Sequence, residues 1–123
     1  MTAAVVQAVM MSLVPVTVYL VVSAAASGRL PRNRWIGLRT TASLSSGMAW
    51  RAGHAVALRR LGWSVFAGVA GALLICGNLL FTDSVRAGFL PLGLVIMMLV
   101  TIFQAGARGV QAAALVEAAS GHR

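Results

Sequence analysis

The sequence has no lysine, two acidic residues (Asp83 and Glu117), two histidines and one cysteine, Cys76. A lone cysteine excludes an intramolecular disulfide and a cysteine metal cluster, and so few acids and histidines leave no ligand set for a metal site. Acid–base catalysis is disfavoured for the same reason. His54 is the one titratable candidate in a patterned stretch, and no carboxylate stands near Ser45, Ser46 and His54 to orient its imidazole. The residues therefore point to a protein that is not an enzyme and needs no cofactor. Internal repeats, low-complexity linkers and a second domain are also missing, so residues 1–123 are read as one unit.

What is present in excess is apolar. Hydrophobic residues make up 59% of the 123 residues and charged ones 10%, which is the composition of a membrane protein. Three stretches carry no charge: Thr2 to Gly28 with 27 residues, Leu61 to Thr82 with 22, and Ala87 to Ala107 with 21. A crossing needs roughly 20 apolar residues, so spans are expected at about residues 3–26, 61–82 and 88–107. The amino-terminal run lacks the positive residue that precedes a cleavable signal and is followed by seven arginines, so it is expected to stay as the first span.

All ten basic residues are arginine, for a net charge of +8; a GC-rich bacterial genome would give such usage. Seven of them (Arg29, Arg32, Arg34, Arg39, Arg51, Arg59 and Arg60) lie between spans one and two, and Arg108 and Arg123 follow span three. Arg86 alone lies between spans two and three. The positive-inside rule then puts the amino terminus outside and the loop at 27–60 and the tail at 108–123 in the cytoplasm, in a bacterial plasma membrane. Because topology explains where the arginines sit, the surplus charge is assigned to anionic lipid headgroups and not to nucleic acid.

Within the spans, Pro15 removes a helical hydrogen bond to the carbonyl of Met11 and is expected to kink span one, with Ser12 and Thr17 satisfying the freed groups. Span two carries Ser64, Gly68, Ala72 and Cys76 at intervals of four, a stripe of small side chains widened by Ala67 and Gly71 on which another helix can pack closely. The partner is left open between span one, span three and another subunit. Span three is expected to begin near Pro91 and to continue as helix into the alanine-rich tail. With Asn78 and Gln104 as the notable polar residues and no ionisable one within the apolar stretches, an ion pathway is not supported.

The loop is the informative segment. Pro31 and Gly37 mark turns, and Ser45 or Ser46 is placed to cap a helix beginning near Gly47. That helix is expected to lie at the membrane surface and to bend near Gly62 into span two. The fold class is thus all-α integral membrane, with three transmembrane helices and an interfacial cytoplasmic helix between the first and second. Trp50 and His54 are four apart and share a face, while Trp35, Trp50 and Trp63 flank apolar spans as interface anchors do.

The run Asn33, Ile36-Gly37-Leu38-Arg39-Thr40, Ser43-Leu44, Ser46, Trp50 and His54 resembles the signature of the SdpI family, whose namesake confers immunity against a sporulation-delay peptide toxin. Thr41-Ala42 stands where that family commonly has Pro-Trp, Gly47-Met48-Ala49 where acidic residues are usual, and Ala55 where an arginine is. The resemblance implies a short, three-span member of the family and, as candidate contacts to a partner or to headgroups, Asn33, Gly37, Arg39, Thr40, Ser43, Ser46, Trp50 and His54. It also implies immunity, or holding a repressor at the membrane.

Two functions fit these residues. One is protection against membrane-active peptides or envelope stress through the loop, with membrane lipids and a toxin peptide as partners. The other is an accessory subunit packed on a larger membrane complex or on copies of itself, drawing on the small-residue groove and on seven loop arginines that lack acidic partners.

Overall fold

A computed structural model describes residues 2–81 and 89–120. The expected loop with Asp83 and Arg86, and the terminal residues 121–123, lie outside the described residues. Four helices run in order: α1 (Thr2–Ala26), α2 (Thr41–Ser45), α3 (Gly47–Phe81) and α4 (Phe89–Ser120). Three of them, α1, α3 and α4, are long and apolar enough to cross a membrane, and the chain is an all-α multi-pass membrane protein.

Two helices outrun the bilayer. With 35 residues in α3 and 32 in α4, a rise of about 1.5 Å per residue gives lengths near 50 Å against roughly 30 Å of hydrocarbon. The surplus lies at the arginine-bearing end, ahead of Leu61 in α3 and beyond Ala107 in α4. Residues 47–60 are thus the first turns of the same helix that forms span two, and the alanine-rich tail continues span three as far as Ser120. Pro91 falls in the first turn of α4, where a missing N–H costs nothing.

Helix α3 is the central element: it packs along both α1 and α4, while α1 and α4 barely touch. Two sets of glycines permit the close approach. A Cβ added at Gly68 would collide with the backbone carbonyl of Met11 and the ring of Pro15, and one added at Gly71 with the Met11 side chain. Pro15 has no N–H for the carbonyl of Met11, and it is Gly68 that lies against that carbonyl, a placement suited to a weak Cα–H···O contact. The expectation for Ser12 and Thr17 is corrected. Their hydroxyls donate to the carbonyls of Ala8 and Val9 (3.1 Å each) and of Leu13 (2.8 Å). A hydroxyl reaches back three or four residues, so neither position can serve Met11.

On the other side of α3, an added Cβ at Gly53 would lie 2.9 Å from the carbonyl oxygen of Gly109, and one at Gly109 would lie 2.6 Å from that of Gly53. Buried Ala57, Ala105 and Ala113 continue this contact. Ala105, Gly109 and Ala113 recur every four residues along α4, the spacing that lets membrane helices meet backbone to backbone.

The stripe in span two is placed as follows. Ser64 and Gly68 are buried, Ala72 is partly buried, and Cys76 is exposed. A strict interval of four drifts around a helix of 3.6 residues per turn; the buried line instead runs Ser64, Gly68, Gly71, Ile75. Its partner is α1.

Candidate functional site

The loop between α1 and α3 is an ordered cap assembled from local chain chemistry. Gly28, at φ +78°, ends α1 in the left-handed conformation that glycine tolerates, and its N–H donates to the carbonyl of Ala25 at 3.2 Å. The Arg51 guanidinium covers it so closely that a Cβ there would sit 3.0 Å away. Asn33 then folds the next turn: its side-chain oxygen accepts from the N–H groups of Trp35 (2.9 Å) and Ile36 (2.8 Å), and its amide donates to the carbonyl of Pro31 at 3.0 Å. This is the Asx turn for which asparagine is suited.

Thr40 and Ser43 form a capping box that starts α2: the Ser43 N–H donates to the Thr40 hydroxyl (3.2 Å) and the Thr40 N–H to the Ser43 hydroxyl (2.9 Å). The Ser43 hydroxyl donates in turn to the carbonyl of Leu38. Ser46 is the residue that caps α3, accepting from the Ala49 N–H at 3.0 Å; the Ser45 hydroxyl donates to Ala42 instead. Arg32 closes the far end of α2 by donating to the carbonyls of Leu44 and Ser45 at 2.8 and 3.0 Å.

His54 and Trp50 tie this cap to α3. Both are buried, with ring centroids 4.2 Å apart and planes tilted by 44°. The Trp50 indole N–H donates to the carbonyl of Leu30 at 3.2 Å. The backbone N–H of Leu38 donates to Nε2 of His54 at 3.0 Å, and Nδ1 lies 2.7 Å from the carbonyl of Trp50. Since Nε2 must accept, the proton sits on Nδ1 and the imidazole is neutral.

Burial lowers the His54 pKa below its ordinary 6.5, partly opposed by the hydrogen bond to the Trp50 carbonyl. A base whose native pKa is depressed contributes stability that is full above the unfolded value and is lost as pH falls through the native one. Acidification below 6.5 is therefore expected to weaken the cap in the wild-type chain. Replacing His54 by Gln, whose amide can accept without titrating, should flatten that dependence; tryptophan fluorescence against pH reads both.

Gly37 is required twice over. Its φ is +99°, and an added Cβ would fall 2.6 Å from Nε2 of His54 and 3.0 Å from the Trp50 ring. Leu38, which sequence reasoning passed over, joins three parts of the structure. Its N–H meets His54 and its carbonyl meets Ser43. Its side chain covers Gly106 and Gly109 on α4. Arg32, Gly53 and Gly109 were also missed; the four-residue spacing of Ala105, Gly109 and Ala113 was the available signal for the last.

Of the eight loop residues singled out from sequence, seven are thus engaged in holding the cap, and Arg39 is the exception. Its side chain is exposed, with one long contact of 3.4 Å to the carbonyl of Arg34. Arg34, Trp35 (85% accessible) and Ile36 are displayed beside it. Such a surface can meet anions and amphipathic molecules. Among the described residues no cluster of acids, histidines and cysteines could hold a metal.

The profile of the SdpI/YfhL protein family matches residues 29–104. The chain belongs to the SdpI/YfhL family. The SdpI/YfhL match opens on the capped loop, takes in all of α3 and ends within α4, so the hydrogen-bonded cap and the helix that carries His54 lie inside the shared region. No curated protein and no solved structure matches the chain.

Proposed function

We propose that this chain protects a bacterial plasma membrane against membrane-active peptides or related envelope stress. The amino terminus would lie outside, with the capped loop and the projecting ends of α3 and α4 in the cytoplasm. The observation that carries the reading is the division of labour in the loop. Asn33, Gly37, Thr40, Ser43, Ser46, Trp50 and His54 hold it from within, and Arg34, Trp35 and Arg39 are left facing outward. Rigid display of cations beside an indole suits contact with an amphipathic peptide or with headgroups, since little ordering entropy remains to be lost on binding.

Arg39→Ala should abolish protection while leaving insertion and folding intact, because its side chain supports nothing else in the cap. Survival under a panel of envelope-active peptides, compared among cells with the wild-type chain, the variant and no chain, is the measurement. Wild-type protection by the variant, or indifference to every peptide class, overturns the reading. The accessory-subunit alternative has lost one of its supports, since α1 fills the small-residue groove from within the chain; it still rests on the exposed arginines.

A further inference from the structure

Because α1 and α4 barely touch, the space between them in front of α3 is a cleft of about 390 Å³, within the range of about 300–1,000 Å³ common for small-molecule sites. Val18 and Val22 of α1, Leu61 of α3, and Ile102 and Ala105 of α4 form its walls. The loop closes one end with Ile36, Gly37 and Leu38. Thr17 is the one lining residue with a polar side chain, and its hydroxyl is satisfied by the carbonyl of Leu13. Water has nothing to bond there, so the cleft favours an apolar occupant.

Charge is concentrated at the closed end. Leu38 lies over Gly106 and Gly109, which puts Arg39, the next residue, and Arg108, between those glycines, at the level of the loop. Arg59 and Arg60 immediately precede Leu61. All four are exposed, and the one acid among the described residues is Glu117, farther along α4. Guanidinium groups pair with phosphate in a fork geometry that favours them over ammonium groups.

We propose that the cleft holds an acyl chain of one anionic phospholipid, with its headgroup phosphate bound by arginines at the loop end. The walls exclude a polar molecule and the arginines select a negative head, so the two halves of the site together specify an amphiphile with these two parts. The proposal does not rest on the protective role, and its test contains no peptide or survival readout.

The full chain in mild detergent is offered phosphatidylglycerol or phosphatidylcholine with the same acyl chains and examined by native mass spectrometry. The wild-type chain should retain one phosphatidylglycerol about ten-fold more strongly than phosphatidylcholine, since basic residues near the membrane surface favour anionic headgroups. Gly106→Phe should lose the lipid: a Cβ at this site meets only the tip of Leu38 at 3.7 Å, so the helix accepts it and the ring enters the cleft. Arg39→Gln combined with Arg108→Gln should erase the preference between headgroups. Phosphatidylglycerol carrying a photoreactive acyl chain, applied to the wild-type chain, should label the cleft residues Val18, Val22, Ile102 and Ala105 in preference to the outward-facing Leu20 and Phe103. Equal retention of the two lipids, unchanged retention by folded Gly106→Phe, labelling spread over outward faces, or a dimer without bound lipid would overturn the proposal.

Discussion

Gly37→Ala is expected to release the loop from α3 while leaving the three long helices inserted. Alanine at φ +99° costs about 1–2 kcal/mol from the clash of its Cβ with the backbone. That Cβ would also stand 2.6 Å from Nε2 of His54 and 3.0 Å from the Trp50 ring, so the rings or the loop must move. Either movement breaks the hydrogen bond from the Leu38 N–H to His54 and leaves a buried imidazole nitrogen without its donor, a further cost of about 1–3 kcal/mol. Because Trp50 and His54, which tie the loop to α3, both meet the added atom, the loss should appear as faster proteolysis at the arginines of the loop and as a shifted Trp50 emission, with unchanged helical circular dichroism. Gly47→Ala is the control, since nothing lies within 4 Å of the added atom. A Gly37→Ala chain with wild-type proteolytic resistance would show that the loop is held elsewhere.

Much of the fold was legible because a bilayer imposes a length rule. Three uncharged stretches became α1 and the crossing parts of α3 and α4, and Ser46 proved to cap α3 by the chemistry that named it as a candidate. What the sequence did not disclose was how far two helices continue beyond the apolar stretches. Residues 47–60 carry Arg51, Arg59 and Arg60, so they read as a surface segment; in the structure Gly53 and Ala57 bury one face against α4 while the arginines take the other. The partner of the span-two glycines was equally hidden, because a groove records closeness and not identity. The signature loop was legible as a unit but not in its roles. Its small polar residues bond to backbone groups close by, but the rings of Trp50 and His54 pair with backbone groups 20 and 16 residues away, and those pairings depend on where Leu30 and Leu38 come to lie.

The larger effect is expected at the other glycine junction. In Gly109→Leu the first added carbon alone would stand 2.6 Å from the carbonyl oxygen of Gly53, 2.5 Å from Cδ1 of Leu38 and 3.3 Å from Cβ of Ala57. Leu38 is a flexible tip and can rotate, but the carbonyl belongs to a helix and cannot retreat unless α3 and α4 separate. Overpacking of this kind costs about 1–3 kcal/mol or more. Here it also opens the floor under the loop, because Leu38 packs on Gly109 and its two backbone groups hold His54 and Ser43. We therefore expect Gly109→Leu to lower thermal stability in detergent by more than Gly37→Ala and to expose the loop to protease at the same time. Gly62→Leu, at a position with nothing within 4 Å, should leave both unchanged or raise stability slightly, since leucine is the better helix former by somewhat under 1 kcal/mol. The comparison separates a requirement for close approach from a general intolerance of bulk: equal losses at Gly62 and Gly109 would mean that the two helices are not held together by this contact.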